Sequence, residues 1–229
     1  MGLITDVDQQ KLREAFAEMD RAVRLLFFTQ TLGCDTCLQT RQILDELPPL
    51  SDRITIEEIN FVLEPDKAAQ YGIDRVPAIA VVGRDESGNE RDSKIRFLGT
   101  PSGYEFMSLI QALLLVGGRA STLSEDSLAL IAAVDTSVDV RVFTTPTCPH
   151  CPRAVSVAHE MAFTNSNITA YAVEATEFPD LARRYHVTGV PKTVVVASGA
   201  SSDTTEILGA LPSDDFVSQA LASFGVKSS

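Results

Sequence analysis

Most notable among what this chain lacks is positive charge. Its 19 Lys and Arg residues face 31 Asp and Glu residues, a formal net charge of -12. That balance excludes an electrostatic nucleic-acid binder, which needs a basic footprint, and disfavours docking on an anionic membrane surface. Long apolar runs are also missing. A stretch such as Ile110 to Gly118 falls well short of the ~20 residues that a membrane helix needs. The N-terminus has no basic region followed by an apolar core; Met1 to Asp20 instead reads as an amphipathic helix carrying Asp6, Asp8, Glu14 and Glu18. A cytoplasmic protein is the expectation. Neither Gly83 to Gly88 nor Gly117-Gly118 forms a Gly-x-Gly-x-x-Gly turn after a strand, so no nicotinamide or flavin fingerprint is present.

Cysteine is scarce, and its placement is informative. The four cysteines form two C-x-x-C pairs, Cys34-Asp35-Thr36-Cys37 and Cys148-Pro149-His150-Cys151, leaving none to staple distant segments. In a reducing compartment such pairs are catalytic or metal-binding more often than structural.

The pairs belong to an internal repeat. Cys34 and Cys148 lie 114 residues apart, as do Cys37 and Cys151, Ala68 and Ala182, Tyr71 and Tyr185, Val76 and Val190, and Pro77 and Pro191. Each first cysteine precedes its Val-Pro proline by 43 positions. So many unrelated residue types at one offset indicate two copies of one unit. Their boundary is expected near Gly117-Gly118, giving domains 1–118 and 119–229.

Periodicity predicts the same element order in both. In the first copy a helix over 6–19 precedes a strand Val23 to Thr29 and a helix Leu38 to Leu47. A strand Ile54 to Val62, a helix Pro65 to Tyr71, strands Val76 to Val82 and Lys94 to Leu98, and a helix Ser102 to Val116 complete it. In the second copy the helices are Ser124 to Val134, 149–164, 177–185 and Ser213 to Phe224, and the strands Asp139 to Thr144, 168–174, 190–197 and 204–208. Leu98-Gly99 and Leu208-Gly209 match at an offset of 110, so the first hairpin is longer by about four residues.

This α-β-[C-x-x-C]-α-β-α-β-β-α unit, with Val-Pro opening its third strand, resembles the thioredoxin fold. The tandem pair resembles the protein disulfide oxidoreductase (glutaredoxin-like) family of thermophilic archaea and bacteria, over the whole chain. The residues that carry this include Met1-Gly2-Leu3-Ile4, Thr144 to Pro152, Val173-Glu174-Ala175 and Val190-Pro191-Lys192. The resemblance implies an α/β protein of two tandem thioredoxin-fold domains, each a central mixed sheet flanked by helices. It also implies cis bonds before Pro77 and Pro191. The backbone of Val76 and Val190 would then pair with an extended substrate segment by β-augmentation. The implied activity is reduction, oxidation or isomerisation of protein disulfides, with no cofactor beyond the redox-active disulfides. Electrons would come from a thioredoxin-reductase-like flavoenzyme.

The chemistry of the pairs agrees. Thiol-disulfide exchange needs a thiolate nucleophile and a second thiol to resolve the mixed disulfide. A helix N-terminus favours the thiolate. Cys34 and Cys148 are therefore the expected nucleophiles, and Cys37 and Cys151 the resolving thiols. His150 should stabilise the Cys148 thiolate and make its disulfide more oxidising, whereas Asp35 disfavours a thiolate at Cys34. Asp35 has an alternative reading as a helix N-cap or first-turn acid, and His150 as a solvated surface residue. His159 and His186 read as helix-surface and loop residues.

The chain departs from thioredoxin itself in having no Trp and no acid within Val23 to Phe28. Glu174, at the end of a neighbouring strand, is the candidate proton acceptor in the second copy, against a reading as a solvated strand end. Asn60 stands in its place in the first copy and cannot titrate. Two rival readings remain: a Cys₄ metal site, which the wide separation of the pairs opposes, and a non-catalytic thioredoxin-fold binding or chaperone module.

Overall fold

The computed structural model describes residues 4–85, 87–197 and 204–224. Met1–Leu3, part of the expected N-terminal helix, lie outside the described residues. The helix that follows, α1 (Asp6–Phe16), is capped by the Thr5 side chain, which accepts from the Asp8 amide at 3.2 Å.

The first copy continues as β1 (Val23–Thr29), α2 (Cys37–Asp45), β2 (Ile54–Asn60), α3 (Pro65–Gln70), β3 (Ala78–Arg84), β4 (Glu90–Leu98) and α4 (Tyr104–Val116). The second is α5 (Glu125–Ala132), β5 (Val138–Thr144), α6 (Cys151–Thr164), β6 (Ile168–Glu174), α7 (Pro179–Arg184), β7 (Lys192–Ala197), β8 (Thr204–Leu208) and α8 (Ser213–Leu221). Every expected element is present.

The mixed sheets expected of the two copies are both present, and they join edge to edge. The eight strands form a single mixed sheet in the order β2-β1-β3-β4-β6-β5-β7-β8. Its seam is the parallel pair β4·β6, where Ile95, Arg96, Phe97 and Leu98 face Ala170, Tyr171, Ala172 and Val173. Each of those strands would be an edge strand in an isolated copy, with a row of unpaired amides and carbonyls; joining them satisfies both. Arg96 is fully buried at this seam. A buried guanidinium needs partners, and Arg96 has them: both Asp92 oxygens at 2.8 and 2.7 Å, and the Tyr71 carbonyl at 2.8 Å.

Both faces of the sheet are covered, which is why its central strands are apolar at successive positions. In β1, Leu25 and Phe27 join a core packed by α1, α2, α4, α5, α6 and α8, and Leu26 and Phe28 join a second core closed by α3 and α7.

Several boundaries differ from expectation for local reasons. β3 and β7 start at Ala78 and Lys192, one residue after each proline, because proline has no amide to give a ladder. β4 starts four residues before Lys94: a bulge at Val81/Val82, with Lys94 at φ 62°, interrupts the alternation that would reveal the strand's first half. His159, expected on a helix surface, is buried, its ring edge-on to Phe97 at 5.1 Å across the seam. Burial pulls its pKa down to about 3.

Candidate active site: two dithiol centres at the seam

Each cysteine pair lies between the end of a strand and the start of a helix. The loop after β1 carries Cys34, and Cys37 is the first residue of α2; the loop after β5 carries Cys148, and Cys151 is the first residue of α6. In each copy the helix thus begins at the second cysteine, and the first sits just ahead of it. Both pairs are closed as disulfides with Cα atoms 5.5 Å apart, so the sulfurs are partnered two and two. Among the described residues no group of three or more His, Cys, Asp or Glu side chains gathers as a metal site would. The four cysteines differ in access. Cys34 is half-buried, whereas Cys37, Cys148 and Cys151 are 5%, 7% and 0% exposed.

Both Val-Pro bonds, Val76-Pro77 and Val190-Pro191, are cis. Val76 and Val190 lie outside the strand ladder, one residue before each buried proline. Val76 and Pro77 line a cavity of about 360 Å³ together with Cys34, Asp35 and Thr36.

Asp35 and His150 are both exposed. The N-cap reading of Asp35 is corrected: the N-cap of α2 is Thr36, and its hydroxyl makes no cap bond but donates to Glu177 Oε2 at 2.5 Å. His150 is itself the N-cap of α6, without a side-chain cap bond.

Glu174 is not a solvated strand end. It is buried, opposite Thr144 in the β5·β6 register. Its carboxylate accepts from the Thr176 hydroxyl at 2.9 and 2.7 Å and from the Glu177 amide at 2.5 Å. Asn60 holds the matching loop in the same way, Oδ1 accepting from the Val62 and Leu63 amides at 3.0 Å each. Both side chains therefore cap the turn after their strand, a job that requires an acceptor and no titration.

The seam brings in residues that the repeat did not single out. Helix α4 of the first copy abuts the second copy's redox loop, with the Tyr104 amide donating to the Pro146 carbonyl at 2.9 Å. In the first turn of α4, Glu105 is buried, both carboxyl oxygens without a hydrogen-bond partner. Burial pushes its pKa up to about 7; the nearby Thr144 and Ser108 hydroxyls offset part of this, and the charge of Glu174 adds to it. In the other direction, Glu177 of the second copy reaches the first copy's loop. Its Oε1 accepts from the Thr100 amide at 2.7 Å while its Oε2 takes the Thr36 hydroxyl. Gly99, at φ 97°, permits this approach, since a Cβ there would come within 2.6 Å of Glu174 Cβ. A signal for Glu105 exists in the sequence, because it shares a helical stripe with Leu109, Ala112 and Val116. Glu177 has none, since its partner is set by the strand order.

Residues 138–222 match a thioredoxin-domain family model. The alkyl hydroperoxide reductase component AhpF of Pseudomonas aeruginosa is 33% identical over 100 residues, covering 44% of this chain and 19% of that protein. The Escherichia coli AhpF is 27% identical over 157 residues, covering 69% of this chain and 27% of that protein. The chain thus spans less than a third of the length of these curated relatives. A solved Enterococcus faecalis AhpF chain superposes with a TM-score of 0.81 at 28% identity, covering 93% of this chain and 97% of that one. A protein disulfide oxidoreductase from Aeropyrum pernix superposes with a TM-score of 0.83 at 25% identity, covering 96% of this chain and 93% of that one.

Proposed function

The chain is a tandem thioredoxin-fold protein, and on that premise we propose that it is a protein thiol-disulfide oxidoreductase working through two dithiol centres, Cys34/Cys37 and Cys148/Cys151. The observation that carries this reading is the geometry of the pairs. Each is closed as a disulfide between a strand end and a helix start, with a Val-Pro segment outside the ladder in the same copy.

In the reduced protein, Cys34 or Cys148 attacks a substrate disulfide, assisted as a thiolate by the unpaired amides of the helix start. One substrate sulfur leaves as a thiol and the other is held in a mixed disulfide. The buried Cys37 or Cys151 then attacks the first cysteine, releasing the reduced substrate and leaving the protein oxidised. The substrate's extended segment pairs with the backbone at Val76 or Val190. At the second centre a carboxylate takes the resolving thiol's proton. Glu174 and Glu105, which share one small cavity with Thr144 at the end of β5, are the two candidates, and burial raises the pKa of Glu105 to about 7.

Electrons come from a partner, a thioredoxin-reductase-like flavoenzyme. Similarity to a hydroperoxide reductase component supports a place in such a relay. The setting is cytoplasmic, in keeping with cysteines confined to the two pairs; among the described residues no helix is long and apolar enough to cross a membrane.

The test is insulin reduction, driven by NADPH and a thioredoxin reductase. Variants Cys34→Ser/Cys37→Ser and Cys148→Ser/Cys151→Ser should each keep part of the activity, and the four-serine variant none. Undiminished turnover in the four-serine variant overturns the reading.

A further inference from the structure

The loop after β6 does different work from its counterpart in the first copy. At the 114-residue offset Glu177 corresponds to Leu63, which is 77% exposed. Glu177 instead lies over the first dithiol centre, because the β4·β6 seam sets the end of β6 beside Gly99 and Thr100. It forms one wall of the cavity beside Cys34, which Asp35, Thr36, Pro77 and Phe178 also line. Two carboxylates face this space, and its described lining includes no cationic side chain. Arg75, over the Phe178 ring at 5.3 Å, is paired with both Asp74 and Asp180.

We propose that Glu177, supplied by the second copy, is a specificity-determining residue that makes the first dithiol centre prefer cationic disulfide substrates. This rests on reading Cys34/Cys37 as a dithiol centre. Asp35 is exposed and well solvated, so water and salt screen it. Glu177 is half-buried and fixed by two charge-assisted hydrogen bonds, one of them from a backbone amide. A fixed charge at the wall of a cleft raises the local concentration of oppositely charged substrate and repels its own sign. Its hydrogen bond to Thr36, inside the C-x-x-C itself, places that charge beside the reacting sulfurs.

Two small disulfides of opposite charge read this directly: cystamine, a dication, and oxidised glutathione, an anion. In the full-length Cys148→Ser/Cys151→Ser protein, pre-reduced with a dithiol and desalted, the Cys34 thiolate attacks one probe sulfur and expels the first probe thiol. Cys37 then expels the second by closing the protein disulfide. The protein loses two electrons and two protons, and the probe gains both as two thiols.

The quantity to measure is the ratio of the cystamine rate to the glutathione rate at low salt. E177Q should lower that ratio about threefold to tenfold, the size expected for removing one charge close to the probe in high dielectric. E177D, which keeps the charge, should hold it within about twofold, and ~1 M salt should compress the ratio wherever a carboxylate is present. A purely structural role would change both rates together and leave the ratio fixed in E177Q; that result, or a preference for glutathione in the starting protein, overturns the proposal. If neither probe oxidises the reduced protein, the dithiol-exchange reading fails as well.

Discussion

Glu105 and Glu174 share a cavity of about 10 Å³ at the seam between the copies, one carboxyl without a hydrogen-bond partner and the other accepting from two donors. Burial without a partner makes Glu105 hold its proton more readily than a solvated carboxyl does.

That difference is measurable as stability. Burial raises the Glu105 pKa from 4.5 to about 7 in the folded state, so between these values the folded protein binds the extra proton. The stabilisation is complete below pH ~4.5 and is lost as pH rises through ~7. Glu105→Gln removes the titration. Urea unfolding should show the variant gaining on the parent with rising pH, by on the order of 3 kcal/mol above pH 7. A constant difference across pH 4–8 would refute the buried-carboxyl account.

His159 should act with the opposite sign. Its folded pKa falls to about 3 through burial, so between there and ~6.5 the unfolded chain binds more protons. Its contribution is present above ~6.5 and is lost on acidification. His159→Leu should flatten the acid limb of the stability curve by about 1.4 kcal/mol per pH unit in that window. An unchanged slope would mean that the ring is hydrated in the folded state.

Gly103 holds the contact between α4 and the second redox loop. It sits at φ 58°, and a Cβ there would meet the Pro146 carbonyl oxygen at 2.2 Å. The clash is with backbone, so no side chain can move aside. Gly103→Ala should lower stability by about 2–4 kcal/mol in denaturant unfolding. It should also alter the second centre's exchange rate more than the first's. A stability loss below ~0.5 kcal/mol would show that the loop yields.

The repeat explains how much of this was legible. Cysteines and prolines recur at one offset and the element order repeats with them, so element types followed from the sequence even where their ends shifted by a few residues. The seam did not, because β4 and β6 carry the same apolar alternation whether their outer edges face water or each other. Everything that depends on the seam was hidden with it: Glu177 over Cys34, Glu105 beside Thr144, His159 against Phe97. Glu174 was visible as an acid at a strand end, but its partners, Thr176 and the Glu177 amide, depend on a turn geometry that periodicity does not report.

The two centres should differ in redox potential. Asp35 stands between Cys34 and Cys37, and Glu177 is anchored to Thr36; both carboxylates disfavour a thiolate at Cys34. His150, between Cys148 and Cys151, favours one when protonated. Stabilising the reduced, thiolate form makes a disulfide more oxidising. Asp35 and His150 are exposed, so each effect is moderate. Equilibration of the two single-centre variants with glutathione should place Cys148/Cys151 about 30 mV or more above Cys34/Cys37. Exchanging Asp35-Thr36 with Pro149-His150 should shrink the gap, while E177Q alone should raise only the first potential. Equal potentials, or a gap unmoved by the exchange, would show that charge beside the cysteines does not set their order.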